Sequence, residues 1–426
     1  MLPASTRLAL AAEPVSAQLA GKRLLVVEEV VKGSLGHWYG YVRAVVAMNR
    51  AEGVDARAVT HAKIDPALAR EIGAIPAFDR SNWDGVYDGP GRWRSLAGMV
   101  RHNWLVYRTM SRILREHGPV DCLFVPTVWL HHVWGWRLLM AVHGRSIGRL
   151  VLLFWMVPGT HLPITKPPVF ARSMAIIGWA IRSFSRQIKR GKVVFATDNS
   201  RLTSLYQSLC GTEPVVFPSP LIAPMARQAR PGKKPGDAII FSSLGPPRFE
   251  KGIDLLQAAI KACLAQGFSR PVKFVIQWNT AIRDPAGNTY APDRELLTDP
   301  RVEFLNQSLS SADYAAATGA TDCMLLPYRH AAYTMRSSGV AIEAATAGIP
   351  MVYTRDTWNA DLVESCGSGV AIDDGDVAGL VCAIQQIVDH YQDYRDQAAA
   401  RSVVARQVHS PAAFMARLWG IGSAHG

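Results

Sequence analysis

The sequence predicts an α/β protein built from two Rossmann-like domains, each with a parallel sheet. Three observations lead to this prediction. Both halves of the chain open with an apolar strand, a Gly-containing turn and an amphipathic helix. A segment rich in Pro and basic residues, 221–236, lies between the halves and is typical of an interdomain linker. The length of 426 residues exceeds one ordinary hydrophobic core and suits two.

Residues 1–220 form the predicted N-terminal domain. Its first strand, Arg23–Glu29, is followed by the loop Gly33-Ser34-Leu35-Gly36, a helix at Trp38–Arg50 and a second strand at Val54–Thr60. Later strands are predicted at Val120–Val125, Leu150–Trp155, Val193–Thr197 and Val215–Phe217. The opening unit lacks the G-x-G-x-x-G fingerprint, so it is only a weak indication of a nucleotide site.

Residues 237–410 form the predicted C-terminal domain, which begins with a strand at Ala238–Ser243. A turn at Gly245 follows, and Lys251-Gly252 opens a helix. Arg248 and Lys251 then lie where the helix dipole disfavours cations. A diphosphate held between them explains this arrangement, with Arg as a planar fork and Lys as a point charge. The alternative is that both are solvated surface residues.

A second unit of the C-terminal domain combines a strand at Asp322–Leu326 with a helix at Val340–Ala347. The loop Ser337-Ser338-Gly339 lies at the N-terminus of that helix, where unpaired N–H groups and the helix dipole favour an anion. Glu343 comes one turn later, within reach of a ribose whose phosphates occupy the helix end. The alternative is an ordinary α/β loop that binds nothing.

Together the two units resemble the C-terminal domain of retaining glycosyltransferases of the GT-B fold, family 4. The motif residues that carry the resemblance are Gly245, Arg248, Lys251-Gly252, Leu326-Pro327, Glu343-Ala344 and Gly348-Ile349-Pro350-Met351-Val352. The resemblance implies two Rossmann-like domains whose parallel sheets face each other across a cleft. It also implies that the final segment, 411–426, crosses back to the N-terminal domain.

The resemblance further implies which residues hold the donor, a nucleotide-diphosphate sugar. Arg248 and Lys251 are the expected catalytic residues, and they stabilise the leaving diphosphate without a metal or other cofactor. The expected donor-binding residues are Gly33, Ser34, Gly36, Gly245, Phe304, Leu305, Asn306, Ser337, Ser338, Gly339, Val340 and Glu343. His37 and His161 are candidates for acceptor or catalytic contacts; a structural role is the simpler interpretation for His161, as it is for His131 and His132.

Two positions depart from the family pattern. Many members carry a Glu that contacts the donor sugar eight residues before the position of Glu343, where this chain has Met335. Many also place a phosphate-binding Arg at the position of Gly245, so Arg248 is expected to replace it. Nucleotide diphosphate binding stays consistent with the sequence, whereas the contacts to the sugar are in question.

The positive charge of the chain is concentrated in its N-terminal half. Residues 1–220 contain 27 Lys and Arg against 14 Asp and Glu, whereas the remainder contains 19 against 20. Segment 171–192 has apolar residues at helical spacing and basic residues beside them. It is either a peripheral helix on an anionic membrane surface or a domain helix whose apolar stripe enters the core. Trp93 and Trp104, each near an arginine, favour the membrane. No nucleic-acid-binding motif accompanies the charge, so nucleic acid is not an expected partner.

The remaining features predict a cytoplasmic protein, peripheral on the inner face of the membrane if the basic segment binds there. The six cysteines are scattered without a C-x-x-C pair, and no apolar run is long enough for a membrane span or a signal peptide. The expected function is retaining glycosyl transfer to a glycan or lipid-linked glycan acceptor in surface polysaccharide or glycolipid synthesis. The alternatives are a nucleotide-sugar epimerase and a degenerate subunit that binds a partner.

Overall fold

The computed structural model describes residues 18–33, 37–81, 92–129, 132–157, 178–220 and 236–421, without the side chains of residues 37 and 92–95. Two parallel sheets dominate it, as the sequence predicts. The strands of the first are β1 Arg23–Glu28, β2 Asp55–His61, β3 Ile75–Phe78, β4 Val120–Val125, β5 Ile147–Phe154, β6 Val193–Thr197 and β7 Val215–Val216. Those of the second are β8 Ile239–Ser243, β9 Val272–Gln277, β12 Val302–Leu305, β13 Cys323–Leu326, β14 Met351–Thr354 and β15 Gly369–Ile372, and the strands β10 Ile282–Arg283 and β11 Thr289–Tyr290 form a small hairpin.

Helices connect the strands and cover both faces of each sheet. In the N-terminal half they are α1 His37–Ala51, α2 Pro66–Ile72, α3 Arg92–His117, α4 Val133–His143, α5 Ser185–Lys189 and α6 Ser200–Cys210. In the C-terminal half they are α7 Ile253–Gln266, α8 Arg294–Thr298, α9 Ser311–Ala320, α10 His330–Tyr333, α11 Gly339–Ala347, α12 Trp358–Cys366, α13 Val377–Asp389, α14 Tyr391–Val408 and α15 Pro411–Trp419.

The two sheets have the same doubly wound topology. Their strand orders are β3-β2-β1-β4-β5-β6-β7 and β12-β9-β8-β13-β14-β15. In each sheet the order reverses between two central strands, β1 and β4 in the first and β8 and β13 in the second. The loops that leave the carboxyl ends of such a pair diverge to opposite faces and open a crevice, which is the usual ligand site of this architecture.

Each sheet is buried on both faces, which explains the nearly continuous apolar runs of its central strands. Along β1, Leu25 and Val27 enter one cluster of buried side chains, whereas Leu24 and Val26 enter the cluster on the other face. The strand therefore buries every second side chain on each side. This pattern fixes its register within the sheet.

The last helix, α15, packs on the N-terminal domain. The Phe414 ring lies 5.8 Å from that of Phe124 and 5.9 Å from that of Phe217. Trp419 Nε1 donates a 2.8 Å hydrogen bond to Asn49 Oδ1. The chain thus ends on the domain in which it began, and the two domains are joined at two places along the sequence.

Segment 171–192 differs from the single amphipathic helix predicted for it. Its described part, from 178, contains two short helical pieces, the second being α5. Ile181 and Phe184 are buried in the N-terminal core. The membrane interpretation of this apolar stripe is therefore wrong for the described residues, because the stripe is already covered by protein.

An exposed apolar stripe instead lies on α3. Leu96, Val100 and Trp104 follow one another at a spacing of four residues, and Val100 and Trp104 are 63% and 56% exposed. Arg108 and Arg112 continue the same stripe and are exposed. No helix of the described residues is long and apolar enough to cross a membrane.

Candidate functional site

The candidate site lies at the carboxyl end of the second sheet, where its strand order reverses. The turn after β8 contains Gly245, whose N–H donates a 2.7 Å hydrogen bond to Gln277 Oε1 from the end of β9. Gly252 lies against the end of β13, and a Cβ on it would come within 2.0 Å of the Pro327 carbonyl oxygen. Gly252 also has a φ of 68°, which disfavours other residues. The glycine of the Lys-Gly pair is thus needed to bring the two loops together.

Lys251 is buried in this crevice and lies in a short 3₁₀ turn, Phe249–Lys251, that precedes α7. It is 8% exposed, and its Nζ lies 5.8 Å from the centroid of the Tyr328 ring. Burial, the nearby Arg248 guanidinium and the Arg336 guanidinium together lower the pKa of Lys251 to about 7. No carboxylate of the described residues lies within ion-pair distance of its Nζ. The site therefore contains a buried amine that an anion would stabilise in its charged form.

Two arginines accompany the lysine. Arg248 Nη2 donates a 3.1 Å hydrogen bond to the Tyr333 hydroxyl, and its Nε lies 3.4 Å from Glu250. The Arg336 guanidinium lies over the Tyr333 ring at 5.6 Å and 3.7 Å from the same Glu250 carboxylate. These two arginines and Lys251 thus outnumber the carboxylates near them, Glu250 and Glu343, an arrangement that suits a polyanionic ligand.

The helix α11 directs its N-terminus toward the same place. Ser338 is its N-cap and accepts a 3.3 Å hydrogen bond from the Ala341 N–H. A Cβ on Gly339 would meet no atom within 4 Å, so the space in front of this backbone is open. Gly245 lies between Val340 and Lys251. A Cβ added to Gly245 would be 3.0 Å from Lys251 Nζ and 3.4 Å from Val340 Cγ2. A helix N-terminus and the three cations therefore border one open space.

Glu343 is held one turn into α11 by a tyrosine. Tyr314, from α9, donates a 2.5 Å hydrogen bond to Glu343 Oε2. Burial raises the pKa of Glu343, although Tyr314 and Lys251 oppose that shift. The Tyr314 contact fixes the carboxylate in one orientation, which is a requirement for selective recognition of hydroxyl groups.

Three of the residues predicted to bind the donor, Phe304, Leu305 and Asn306, lie at the end of β12 and just after it. Leu305 packs in the same apolar cluster as Tyr314 and Val340, and Asn306 is exposed. The Phe304 ring lies 6.1 Å from the buried Trp278 ring. The turn therefore offers partly buried apolar surface beside the loops that carry the cations.

The N-terminal domain contacts the α11 loop directly. Asp198, which follows β6, accepts hydrogen bonds from Ser337 Oγ and from Asn199 Nδ2, the latter at 2.8 Å. Asn199 Nδ2 also donates a 3.0 Å hydrogen bond to the Met335 carbonyl oxygen. Burial raises the pKa of Asp198 to about 7, against the opposing effect of the Ser337 hydrogen bond. The Ser337 hydroxyl, predicted to bind the donor, is thus bonded to the other domain here.

A second buried carboxyl lies at the end of β1. Glu28 Oε2 accepts a 2.6 Å hydrogen bond from Thr127 Oγ1. Burial raises the pKa of Glu28 to about 8, although the Thr127 hydrogen bond opposes the rise. The carboxyl ends of β1 and β6 therefore both carry acids, and no local sequence pattern marks either of them.

Ser34, Gly36 and His161, with His131 and the side chain of His37, lie outside the described residues. Gly33 lies in the turn that follows β1 and is partly buried. Among the residues that sequence reasoning missed, Arg336 directly precedes Ser337, and that position was the one signal that could have identified it.

The sequence of residues 237–390 matches the model of the family described as Glycosyl transferases group 1. The resemblance predicted from the sequence is confirmed over this stretch. No curated protein matches the chain.

Solved structures match nearly the whole chain. Sucrose-phosphate synthase from Thermosynechococcus elongatus has 15% identity and a TM-score of 0.60, and the match covers 94% of this chain and 98% of that one. A glycosyltransferase from Rickettsia africae has 11% identity and a TM-score of 0.63, with 94% and 97% covered. HepE of Anabaena, solved in complex with UDP and glucose, has 14% identity and a TM-score of 0.58, with 94% and 99% covered. These matches confirm the GT-B fold.

Proposed function

We propose that the chain transfers a sugar from a nucleotide-diphosphate donor to an acceptor on the N-terminal domain, because residues 237–390 match the model of the group 1 glycosyl transferases. The observation that carries the proposal is Lys251, a buried amine without a counter-ion among the described residues. A diphosphate between Lys251, Arg248 and the N-terminus of α11 supplies the missing negative charge.

In the proposed reaction the bond between the anomeric carbon and the diphosphate oxygen breaks while the acceptor oxygen bonds to the same carbon from the same face. The acceptor hydroxyl proton leaves with the diphosphate, so charge and atoms balance. Arg248, Lys251 and the N–H groups at Ser338–Val340 stabilise the departing negative charge, which is the form of catalysis that preorganised donors perform best. No step requires a metal at the phosphates.

The ends of the donor are recognised by separate groups. Glu343, oriented by Tyr314, accepts hydrogen bonds from the ribose, and the turn Phe304–Asn306 holds the base. Gly33, in the turn that follows β1, faces the phosphates from the other domain. HepE was solved with UDP, so uridine diphosphate sugars come first in the test panel.

The acceptor is proposed to be a glycan or lipid-linked glycan, used in surface polysaccharide or glycolipid synthesis at the inner face of the membrane. Two observations support a membrane-linked acceptor: the basic N-terminal half and the exposed α3 stripe of apolar residues that continues into arginines. Arginine-flanked aromatic and aliphatic side chains suit the boundary between headgroups and acyl chains.

The first experiment is calorimetric titration with UDP, GDP, ADP and dTDP and their sugars. We expect one base to bind, and Lys251→Ala to weaken that binding by about tenfold or more, because a hydrogen bond to a charged group contributes about 1.5–3 kcal/mol. Lys261→Ala is the matched control, since Lys261 lies on α7 but pairs with Asp293 and Glu295 at 3.0 Å. Binding that is equal in both variants would contradict the assigned phosphate site.

The reaction products then separate the alternatives. Transfer with retained configuration, read by NMR of the product anomer, supports the proposed chemistry. Inverted product would overturn the retaining mechanism. A changed sugar on an intact donor would identify an epimerase, while donor binding without turnover would identify a degenerate subunit, in line with Met335 at the usual Glu position.

A further inference from the structure

Three side chains of metal-ligating type meet inside the N-terminal domain. Glu29 directly follows β1, His102 lies in the middle of α3, and His132 directly precedes α4. They are 5%, 4% and 1% exposed, respectively. Each offers a ligand atom such that all three atoms lie within 4.8 Å of one another. Three distant parts of the sequence thus bring ligand atoms to one buried point.

The spacing of Glu29 and His102 is that of two ligands in one coordination sphere. His102 Nε2 lies 3.2 Å from both carboxylate oxygens of Glu29. In a tetrahedral site with bonds of about 2.0–2.1 Å, two ligand atoms are about 3.3 Å apart. Glu29 and His102 therefore already stand at the separation of two ligands of one ion.

A simple ion pair accounts for only part of this arrangement. The His102 and His132 rings stack with their centroids 4.0 Å apart and their planes at 21°. The stack places a second imidazole beside the Glu29–His102 pair, and imidazole is the commonest metal ligand among side chains. Glu29 Oε2 is fully buried, and no hydrogen bond of acceptable geometry reaches it from the described residues.

The cluster also lies where this architecture binds ligands. Glu29 leaves the carboxyl end of β1, and His132 follows β4; these two strands flank the point at which the strand order of the first sheet reverses. The second sheet has its cationic crevice at the equivalent place. The first sheet instead has two imidazoles and a carboxylate there.

We propose that Glu29, His102 and His132 bind one divalent transition-metal ion, with Zn²⁺ as the reference ion. Two nitrogens and a carboxylate oxygen are a typical donor set for such ions, and three protein ligands leave a position for water. An imidazole binds a metal ion that lies in the plane of its ring, and the planes of two stacked rings do not meet near the rings. Metal binding therefore turns the His132 ring out of its stack with His102. The ion is a resident of the N-terminal domain.

Metal content and cobalt spectra of the purified full chain test the proposal. After EDTA treatment and desalting, we expect the protein to take up about one equivalent of Zn²⁺, measured by mass spectrometry of the metal, and to melt at a higher temperature with it. Co²⁺ should give visible absorption bands of a tetrahedral site. Glu29→Gln and His132→Ala should each weaken the affinity by more than about tenfold, since even outer-shell partners change it 10–100-fold.

His143→Ala is the matched control, because His143 is an exposed histidine at the end of α4. Metal uptake unchanged in this control and reduced in both ligand variants supports the site. No uptake by the wild type, or an equal loss in the control, would overturn it and leave a buried Glu–His pair. The wild-type measurements decide the matter even if a variant fails to fold, and they are independent of nucleotide binding.

Discussion

At the residue scale, the candidate site depends on a buried amine, Lys251, whose charge is unfavourable for the stability of the unliganded fold. Lys251 is an amine that folding removes from water, and its pKa falls to about 7 because burial and two arginines disfavour its charge. A residue retained in so unfavourable a place is expected where ligand binding and not stability determines the side chain. Loss of Lys251 should therefore weaken binding while strengthening the unliganded fold.

The pH dependence of the free energy of unfolding of Lys251→Met tests whether the buried amine destabilises the unliganded fold. The pKa of Lys251 is lower in the folded chain than in the unfolded one, so wild-type folding releases a proton between about pH 7 and 10.5. The destabilisation by the buried charge is complete below about pH 7 and declines as the pH rises toward 10. The variant should hence have the larger free energy of unfolding at pH 6, with a difference that shrinks by pH 9.5 in urea titrations. A less stable variant at pH 6 would contradict the assignment of a buried, unpaired charge.

Some residues of the candidate site could be predicted from the sequence, and others could not. Arg248, Lys251, Gly252 and Glu343 could be singled out because local spacing placed each one after a strand or near the start of a helix. Asp198 could not, because its partner Ser337 is 139 residues away along the chain. The cluster of Glu29 with two histidines was equally hidden, since its members come from a strand end and two helices. Local sequence patterns predict where a residue lies in a strand, turn or helix. Contacts between residues that are distant along the chain can be identified only once the fold is known.

At the element scale, central strands were the best predicted. The bounds of β4 and β6 agree with the sequence prediction, because each is a short apolar run between clear turn signals. Segment 171–192 shows the limit of such patterns. A helical apolar stripe looks the same whether a membrane or a protein core covers it, and here Ile181 and Phe184 enter the core. The apolar stripe that remains exposed is instead the one on α3.

Val100→Glu tests the α3 stripe as a membrane contact. We expect wild-type protein to sediment with vesicles that contain anionic lipid, and the variant to bind at least about tenfold more weakly. The substitution removes apolar area and adds a charge of the same sign as the lipid, each equivalent to about 1 kcal/mol or more. Val403→Glu is the control, because Val403 is 49% exposed on α14 of the other domain. Equal vesicle binding by both variants would show that α3 is not the contact.

At the scale of the whole molecule, the two sheets present their carboxyl ends to each other, and a few polar contacts connect them. Asp198 and Asn199 bond to the loop before α11, and Arg201 reaches further into the C-terminal domain. Arg201 donates hydrogen bonds of 2.5 and 2.7 Å to the two carboxylate oxygens of Asp361 and one of 2.7 Å to the Asp356 carbonyl oxygen. The loop that should hold the donor phosphates is therefore also the loop that joins the domains. Donor binding and domain closure are expected to be linked for that reason.

Arg201→Ala should open the molecule without unfolding either domain. The substitution removes a bidentate ion pair and a hydrogen bond across the cleft, while the α15 contacts keep the domains tethered. We expect the radius of gyration in small-angle X-ray scattering to rise, and a bound nucleoside diphosphate to reverse part of the change by drawing the α11 loop toward the N-terminal domain. Arg355→Ala is the matched control, because Arg355 forms a comparable 2.9 Å ion pair with Asp373 inside the C-terminal domain. An Arg201→Ala protein with the dimensions of the control would mean that the contacts across the cleft do not set the closed state, and that α15 alone fixes the arrangement of the domains.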